Sequence, residues 1–288
     1  MKTVLITGSS TGIGLATAKH FAQQEYKVLA TARAPEKADG LQQLAREYPS
    51  IVLKSLDVCD QSSIDSLIEE SRQELGEIHV LINNAGISGG GSIENASLDN
   101  ARAIMETNYF GALRMMQAVL PSMREARQGH IVNVSSQAGR RPFFLMGHYC
   151  ASKYALNAAS EALAHEVSSY GIRVSIIEPG TVVTPIFGKG SPTEGDEKHY
   201  GKFQRRFRRQ VEKGLQDLGC QPSVIAECIE NAITTDDPRL HYLVAEDAID
   251  NVNMFDKHGP EVWVDDGAIE DDETYFRVMR DRYGYDIG

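Results

Sequence analysis

Thr3-Val-Leu-Ile-Thr7-Gly8-Ser-Ser-Thr-Gly12-Ile-Gly14 stands at the start of the chain, and an amphipathic run continues from it through Ala22. The first five residues are short, β-rich and apolar, and the glycines fall where extended patterning gives way to helical patterning. That order predicts strand, glycine turn, helix. Gly8, Gly12 and Gly14 allow the chain to turn sharply, bring its amides close to a phosphate and aim a helix N-terminus at the charge, with Ser10, Thr11 and Ile13 in the same cradle. The spacing is G-x-x-x-G-x-G rather than G-x-G-x-x-G, so the turn taken alone is also compatible with a tight bend that holds nothing.

Six further short apolar runs follow, at Lys27–Ala32, Ile51–Leu56, Ile78–Ile82, His130–Val134, Arg173–Ile177 and Tyr242–Val244, mostly separated by segments of helix length. Strands that alternate with helices predict an α/β fold, a doubly wound sheet of about seven parallel strands with helices on both faces. One catalytic domain is expected over residues 1–249. Within it, about 185–220 is rich in Gly, Pro and charge and follows a strand's carboxyl end, where such sheets place their ligand crevice; it reads as a substrate lid. Residues 250–288 form an acidic and aromatic extension, expected to pack on its own domain or on a neighbouring subunit.

Composition narrows the function. The 288 residues carry a formal net charge of -11, which repels nucleic acid and anionic lipid. The four cysteines show neither a paired pattern nor the histidine companions of a zinc site, so reduced, buried thiols and no metal are expected. No run has the length of a membrane-spanning helix, and a strand that begins almost at Met1 leaves no room for a signal peptide. A cytoplasmic location is therefore expected.

Tyr149-Cys-Ala-Ser-Lys153 sets a phenol and an amine four residues apart in an apparent helix, hence on one face. An ammonium nearby favours phenolate and brings tyrosine, ordinarily near ~10, toward a useful acid/base. Ser136, thirteen residues before Tyr149 and just past a strand, offers a hydroxyl to a reacting oxygen. Such a pair alone is commonly structural, and Ser135-Ser136 is an ordinary strand-end pair; the conjunction with the glycine cradle is what points to chemistry. Ala30-Thr31-Ala32-Arg33 ends the second strand with a cation instead of an acid. Together with Ser10 it suits a ribose 2′-phosphate, hence NADP(H) in preference to NAD(H), unless Arg33 is only a solvated cation.

The chain resembles the classical short-chain dehydrogenase/reductase family over roughly Lys2 to Ala248. The resemblance rests on Thr7–Gly14, Asp57-Val58, Asn83-Asn-Ala-Gly86, Asn108 in Thr-Asn-Tyr-Phe-Gly, Ser135-Ser136, Tyr149-x-x-x-Lys153 and Pro179-Gly180. It implies a catalytic tetrad of Asn108, Ser136, Tyr149 and Lys153, with Asn108 supporting a water that relays protons and Lys153 bonded to the nicotinamide ribose. It further implies that Asp57 and Val58 meet the adenine, that Asn84, Ala85 and Gly86 line the cofactor, that Pro179 and Gly180 also bind it, and that Val182 and Thr184 approach the carboxamide. Of the two serines, the family's interval to the tyrosine selects Ser136. In motif style the chain is similar to 17β-hydroxysteroid and retinol dehydrogenases, which implies a bulky, largely apolar alcohol or ketone and a homodimer or homotetramer.

The expected activity is that of a carbonyl reductase or alcohol dehydrogenase acting on a CH–OH group. Dehydration or epimerisation is a second enzymatic reading, and an NADP-binding sensor or scaffold without turnover is the reading from another class. His148 is assigned no role, because adjacent helical residues diverge by about 100°. Phe143, Phe144, Leu145 and Met146 form either a pocket wall or plain core. Arg205, Arg206, Arg208 and Arg209 read first as a solvated helix face, with attraction of an anionic substrate or docking of the acidic extension as the sharper alternatives.

Overall fold

The computed structural model of the chain describes residues 1–185 and 196–284. Seven parallel strands form a single sheet: β1 (Thr3–Ile6), β2 (Lys27–Ala32), β3 (Ile51–Ser55), β4 (Val80–Asn83), β5 (Gly129–Val134), β6 (Ile172–Pro179) and β7 (His241–Val244). Their order is β3-β2-β1-β4-β5-β6-β7, so the chain reverses its winding direction between β1 and β4. The expected doubly wound, Rossmann-type sheet is present.

Period-two alternation decides which helix covers which face. Val4, Ile6, Val28, Ala30, Val80, Ile82 and Val132 point to one side. There they meet α1 (Gly12–Gln23), α2 (Asp39–Glu47) and α8 (Pro222–Thr234), through Phe21, Leu41, Ile225 and Ile229. Leu5, Leu29, Leu81 and Ile131 point to the other. Their cover is α3 (Gln61–Leu75), α5 (Gly111–Ala126) and α6 (Gly147–Val167), through Ile64, Leu67, Met115, Val119 and Val167. Fully buried side chains such as Phe21 each contribute roughly 1.5–3 kcal/mol by leaving water.

Between β4 and α5 runs α4 (Leu98–Met105), joined to α5 by a π-helical turn at Glu106–Phe110. One residue too many for regular helix is accommodated there, and such bulges concentrate at functional sites. Past β6, α7 (Asp196–Lys213) occupies most of the described part of the expected lid; residues 186–195 lie outside the described residues. The chain ends in α9 (Glu246–Gly267), broken at Gly259 with φ +82° ahead of Pro260, and α10 (Asp272–Tyr283). Tyr275, Met279 and Tyr283 form a small apolar cluster of their own with Met254, Ile269 and Phe276. No described helix is long and apolar enough to cross a membrane.

Candidate active site

A cavity of about 780 Å³ opens at the carboxyl edge of the sheet, across the point where β1 and β4 diverge. The glycine turn forms its floor at one end. Gly8 and Gly12 have φ of +69° and +57°, the left-handed region that glycine enters without penalty. A Cβ on Gly14 would stand 2.3 Å from the Gly8 carbonyl oxygen, and one on Gly8 would stand 2.8 Å from Ala85 Cα. Only a chain without side chains at these points winds so tightly. Thr11 takes the N-cap of α1 but makes no side-chain cap bond, so the first-turn amides keep their hydrogen-bonding capacity at the positive end of the helix. A cradle of this kind fits a pyrophosphate.

Thr7, which the sequence reading did not single out as a site residue, holds the cradle together with the expected Asn84. Thr7, buried, accepts hydrogen bonds at Oγ1 from the amides of Asn84 (3.0 Å) and Ala85 (2.9 Å). Asn84 Nδ2 donates to the carbonyls of Thr7 (2.9 Å) and Gly8 (3.0 Å), locking the β1 turn to the β4 turn. Asn83 turns instead into the core, donating to Asn133 Oδ1 at 2.9 Å. The only sign of this division in the sequence is the pair of asparagines itself.

Arg33, Asp57, Val58, Ala85 and Gly86 line the same end of the cavity. Arg33 is exposed, and its guanidinium has no carboxylate partner among the described residues. Asp57 Oδ1 accepts from the Cys59 amide at 2.9 Å, which fixes the turn after β3. The expectation of buried thiols fails in part: Cys150 is buried, Cys220 and Cys228 are half-buried, and Cys59 is exposed, because its turn opens onto the cavity rather than into the core. All four are free.

At the other end Ser136, Tyr149 and Lys153 meet. Tyr149 lies in the first turn of α6 and Lys153 one turn later; the ammonium stands 5.8 Å from the phenol ring centre. Ser136 is hydrogen-bonded to the phenol, which opposes the dominant effect of burial, and the phenol is pushed up to about 12. The sequence had led us to expect a phenol drawn down by the neighbouring cation. Burial dominates the phenol instead, and it also lowers Lys153 to about 8. Lys153 Nζ donates to the Val134 carbonyl at 2.9 Å, tying α6 to the end of β5. Ser135 also borders the cavity, but its hydroxyl is buried beside Gly139 and Asn157.

Asn108 sits in the π-helical turn, buried, with its amide held by two residues: Oδ1 accepts from Ile87 N at 2.8 Å, and Nδ2 donates to Ile87 O at 2.9 Å and to Ser152 Oγ at 3.0 Å. It joins the β4 turn to α6 from below rather than facing the cavity. His148 keeps Nε2 buried without a hydrogen-bond partner and is not in the cavity wall.

Pro179 at the end of β6, and Gly180, Val182 and Thr184 in the loop after it, lie along the cavity. Asp247, on the first turn of α9, governs it: Oδ2 accepts from Thr181 N at 2.7 Å. A Cβ on Gly180 would fall 1.9 Å from Asp247 Oδ1, so glycine is the residue that lets this acid approach. Gln137 donates to Asp247 at 3.4 Å and accepts from Asn251 at 2.6 Å. Neither Asp247 nor Asn251 was singled out from the sequence, since an acid at a helix start normally reads as a partner for the helix dipole.

Phe143, Met146, Phe207, Val211 and Leu218 give the far end an apolar wall. Of the aromatic run before Tyr149, Phe143 and Met146 face the cavity. Phe144 instead packs against Phe203, Phe207 and Trp263. The arginine run is not a solvated face throughout: Arg206 is fully buried. Lys213, a cation in the wall, is paired with Asp217 at 2.9 Å, which leaves that end little pull on anions.

A doubly wound sheet with a glycine turn at its switch point and a half-buried tyrosine beside a buried lysine defines a Rossmann-fold oxidoreductase. Residues 2–195 match the family model described as short chain dehydrogenase. Human retinol dehydrogenase 8 is 35% identical over 253 residues, covering 83% of this chain and 80% of that protein. A short-chain dehydrogenase from Streptomyces avermitilis superposes with a TM-score of 0.81 at 33% identity, covering 92% of this chain and 94% of the other. Serine dehydrogenase in a closed form complexed with NADP+ superposes at 0.72 with 28% identity, covering 84% and 94%. The chain belongs to the short-chain dehydrogenase family.

Proposed function

We propose that the protein is an NADP(H)-dependent oxidoreductase that interconverts a carbonyl and a secondary alcohol on a small, largely apolar molecule, with Tyr149 as the acid/base. The observation that carries this reading is the Ser136–Tyr149–Lys153 group at the inner end of a cavity whose outer end is a phosphate cradle. When bound, a nicotinamide supplies the hydride acceptor or donor. The glycine turn from Gly8 to Gly14 would hold its pyrophosphate, Asp57 and Val58 its adenine, and Asn84 to Gly86 its middle. Pro179, Gly180, Val182 and Thr184 would hold the carboxamide end.

Burial keeps the Tyr149 phenol protonated well past neutrality, so it stands ready as a proton donor to an oxygen that gains negative charge. Ser136 Oγ offers that oxygen a second hydrogen bond, strongest as charge develops. Lys153, drawn down to about 8 by burial, exchanges protons near neutral pH and would restore the phenol, with Asn108 holding the turn beneath it. In the oxidative direction the same groups take the alcohol proton. Arg33, without an acidic partner at the tip of β2, supports NADP(H), and the NADP+ complex of a relative agrees with it. The apolar wall from Phe143 to Leu218, and the likeness to a protein named for retinol, support an apolar substrate. Assembly as a homodimer or homotetramer belongs to the same reading, supported by Phe110 and Tyr154, exposed on the helical faces beside Asn108 and Tyr149.

Cofactor absorbance followed over ketones, aldehydes, steroids and retinoids tests the proposal. NADPH should be used at a lower KM than NADH, and Tyr149→Phe should lose about 10²-fold or more in turnover while still binding NADPH. Binding without turnover of any compound by the parent protein would favour a sensor instead.

A further inference from the structure

The lid helix α7 has two working faces. Phe207, Gln210 and Val211 form part of the cavity wall. Lys202, Arg205, Arg206 and Arg209, spaced to share another face, all meet the C-terminal extension. Arg206 is fully buried: Nε donates to Asp272 Oδ1 at 2.8 Å, Nη2 donates to the Glu270 carbonyl at 3.1 Å, and the guanidinium lies 4.0 Å over the Tyr275 ring. Lys202 pairs with Glu270 at 2.8 Å, Arg205 with Asp272 at 3.3 Å, and Arg209 covers the Phe276 ring at 4.7 Å.

A guanidinium removed from water is tolerated only when its partners are in place, and taking one away leaves an uncompensated buried charge. Among the described residues, every hydrogen-bond, ion-pair and ring partner of the Arg206 guanidinium comes from residues 270–275. The helix that carries it is rich in charge and has few apolar residues to bury. Phe203 and Phe207 pack on Phe144 and Tyr200 Oη donates to Glu94 at 2.6 Å, so α7 keeps contacts of its own with the domain, while the extension, which also reaches the cavity at Gly284, holds its basic face.

We infer that Arg206 is a positioning residue for substrate specificity, and that the Asp272–Tyr275 segment is the latch that fixes α7 and with it the wall made by Phe207, Gln210 and Val211. This inference rests on the proposed activity for its kinetic consequence but not for its structural one. With the latch broken, α7 loosens, the apolar end of the cavity widens, and carbonyl substrates bind less tightly. The cradle at the opposite end, built by the β1 and β4 turns, is untouched.

The test uses the full chain with Asp272→Asn, Arg206→Met and Arg206→Lys, and with Arg208→Met as an exposed, equally charged control. Hydrogen exchange of residues 197–213 in the ligand-free protein reads the latch. NADPH affinity by fluorescence and the KM and kcat for the best carbonyl substrate read its consequence. Asp272→Asn and Arg206→Met should exchange α7 amides about tenfold faster or more and raise KM by about tenfold. NADPH affinity should stay within about twofold. Arg206→Lys, which keeps the charge but loses the planar fork, should fall between, and Arg208→Met should match the parent. Unchanged α7 exchange in Asp272→Asn overturns the latch, as does loss of NADPH affinity in step with KM. Should Arg206→Met fail to fold, the isosteric Asp272→Asn decides alone. Should no compound be turned over by the parent, the activity falls while hydrogen exchange still judges the latch.

Discussion

One methyl group at Gly180 is enough to separate a role in local geometry from a role in chemistry. A Cβ there would sit 1.9 Å from Asp247 Oδ1, a contact no real side chain makes, so Gly180→Ala must push away the acid that holds Thr181 N. We expect a loss of stability of about 1–3 kcal/mol and weaker NADPH binding. Gly180→Ala/Asp247→Ala should recover part of both, with a coupling of about 1 kcal/mol or more in urea unfolding; strictly additive effects would show that the two residues do not interact. Lys153 supplies a second expectation at this scale. Its burial lowers the amine to about 8, so the cation is lost as pH rises through that value. Reduction by the parent should decline above pH about 8 while oxidation gains, since only the former needs a resupplied proton. Lys153→Met should flatten both profiles; an unchanged inflection in that variant would assign the titration to another group.

Strand β5 carries a histidine where the pattern reads apolar. His130 is buried between β4 and β6, with Nε2 2.9 Å from Ser175 Oγ and Nδ1 unpartnered. Burial first, then Arg173 and Lys2, lower its pKa to about 3. The folded value lies below the unfolded one, so between about 3 and 6.5 the unfolded chain binds more protons and stability falls as pH falls. At pH 5 the loss from this one group should reach about 2 kcal/mol relative to pH 7. Urea unfolding at both pH values should show a slope that His130→Gln lacks; equal slopes would remove His130 as its source. The same strands show what is legible in sequence at this scale. All seven appear at their expected places within a residue or two: the inner strands bury residues on both faces and a continuous apolar run records that demand, while β3 and β7 at the sheet edges bury one residue each. β6 extends two residues past its apolar run, to Pro179; Glu178 is fully buried there between His241 and Asn157, and a buried acid breaks the pattern without breaking the strand. The π-helical turn at Asn108 left no trace, since one extra residue in a helix shifts the register without changing composition.

Across the whole molecule, the Ser136–Tyr149–Lys153 group proposed as the catalytic end lies in short motifs and could be read from them, whereas the latch, whose two halves lie more than sixty residues apart, stood in the sequence only as one alternative for the arginine run, docking of the acidic extension. An arginine run and an acidic tail become partners only when the fold brings α7 against α10, and no local periodicity encodes that meeting. The cavity is assembled in the same long-range way, from the turns after β1, β3, β4, β5 and β6, from α7 and from the start of α9. A ligand that fills it fastens all of these at once, so binding should stabilise the molecule cooperatively, by about 2.7 kcal/mol at a hundred times its dissociation constant. With a net charge of -11, the protein as a whole opposes an anionic ligand, and discrimination between NADPH and NADH falls to local cations. Arg33, exposed at the cavity edge, is the group we assign to the extra phosphate. At equal concentration NADPH should therefore raise the melting temperature by several degrees more than NADH, and the difference should vanish in Arg33→Ala while the NADH shift stays as it was. A parent protein stabilised equally by both cofactors would place the preference elsewhere and leave Arg33 a solvated cation.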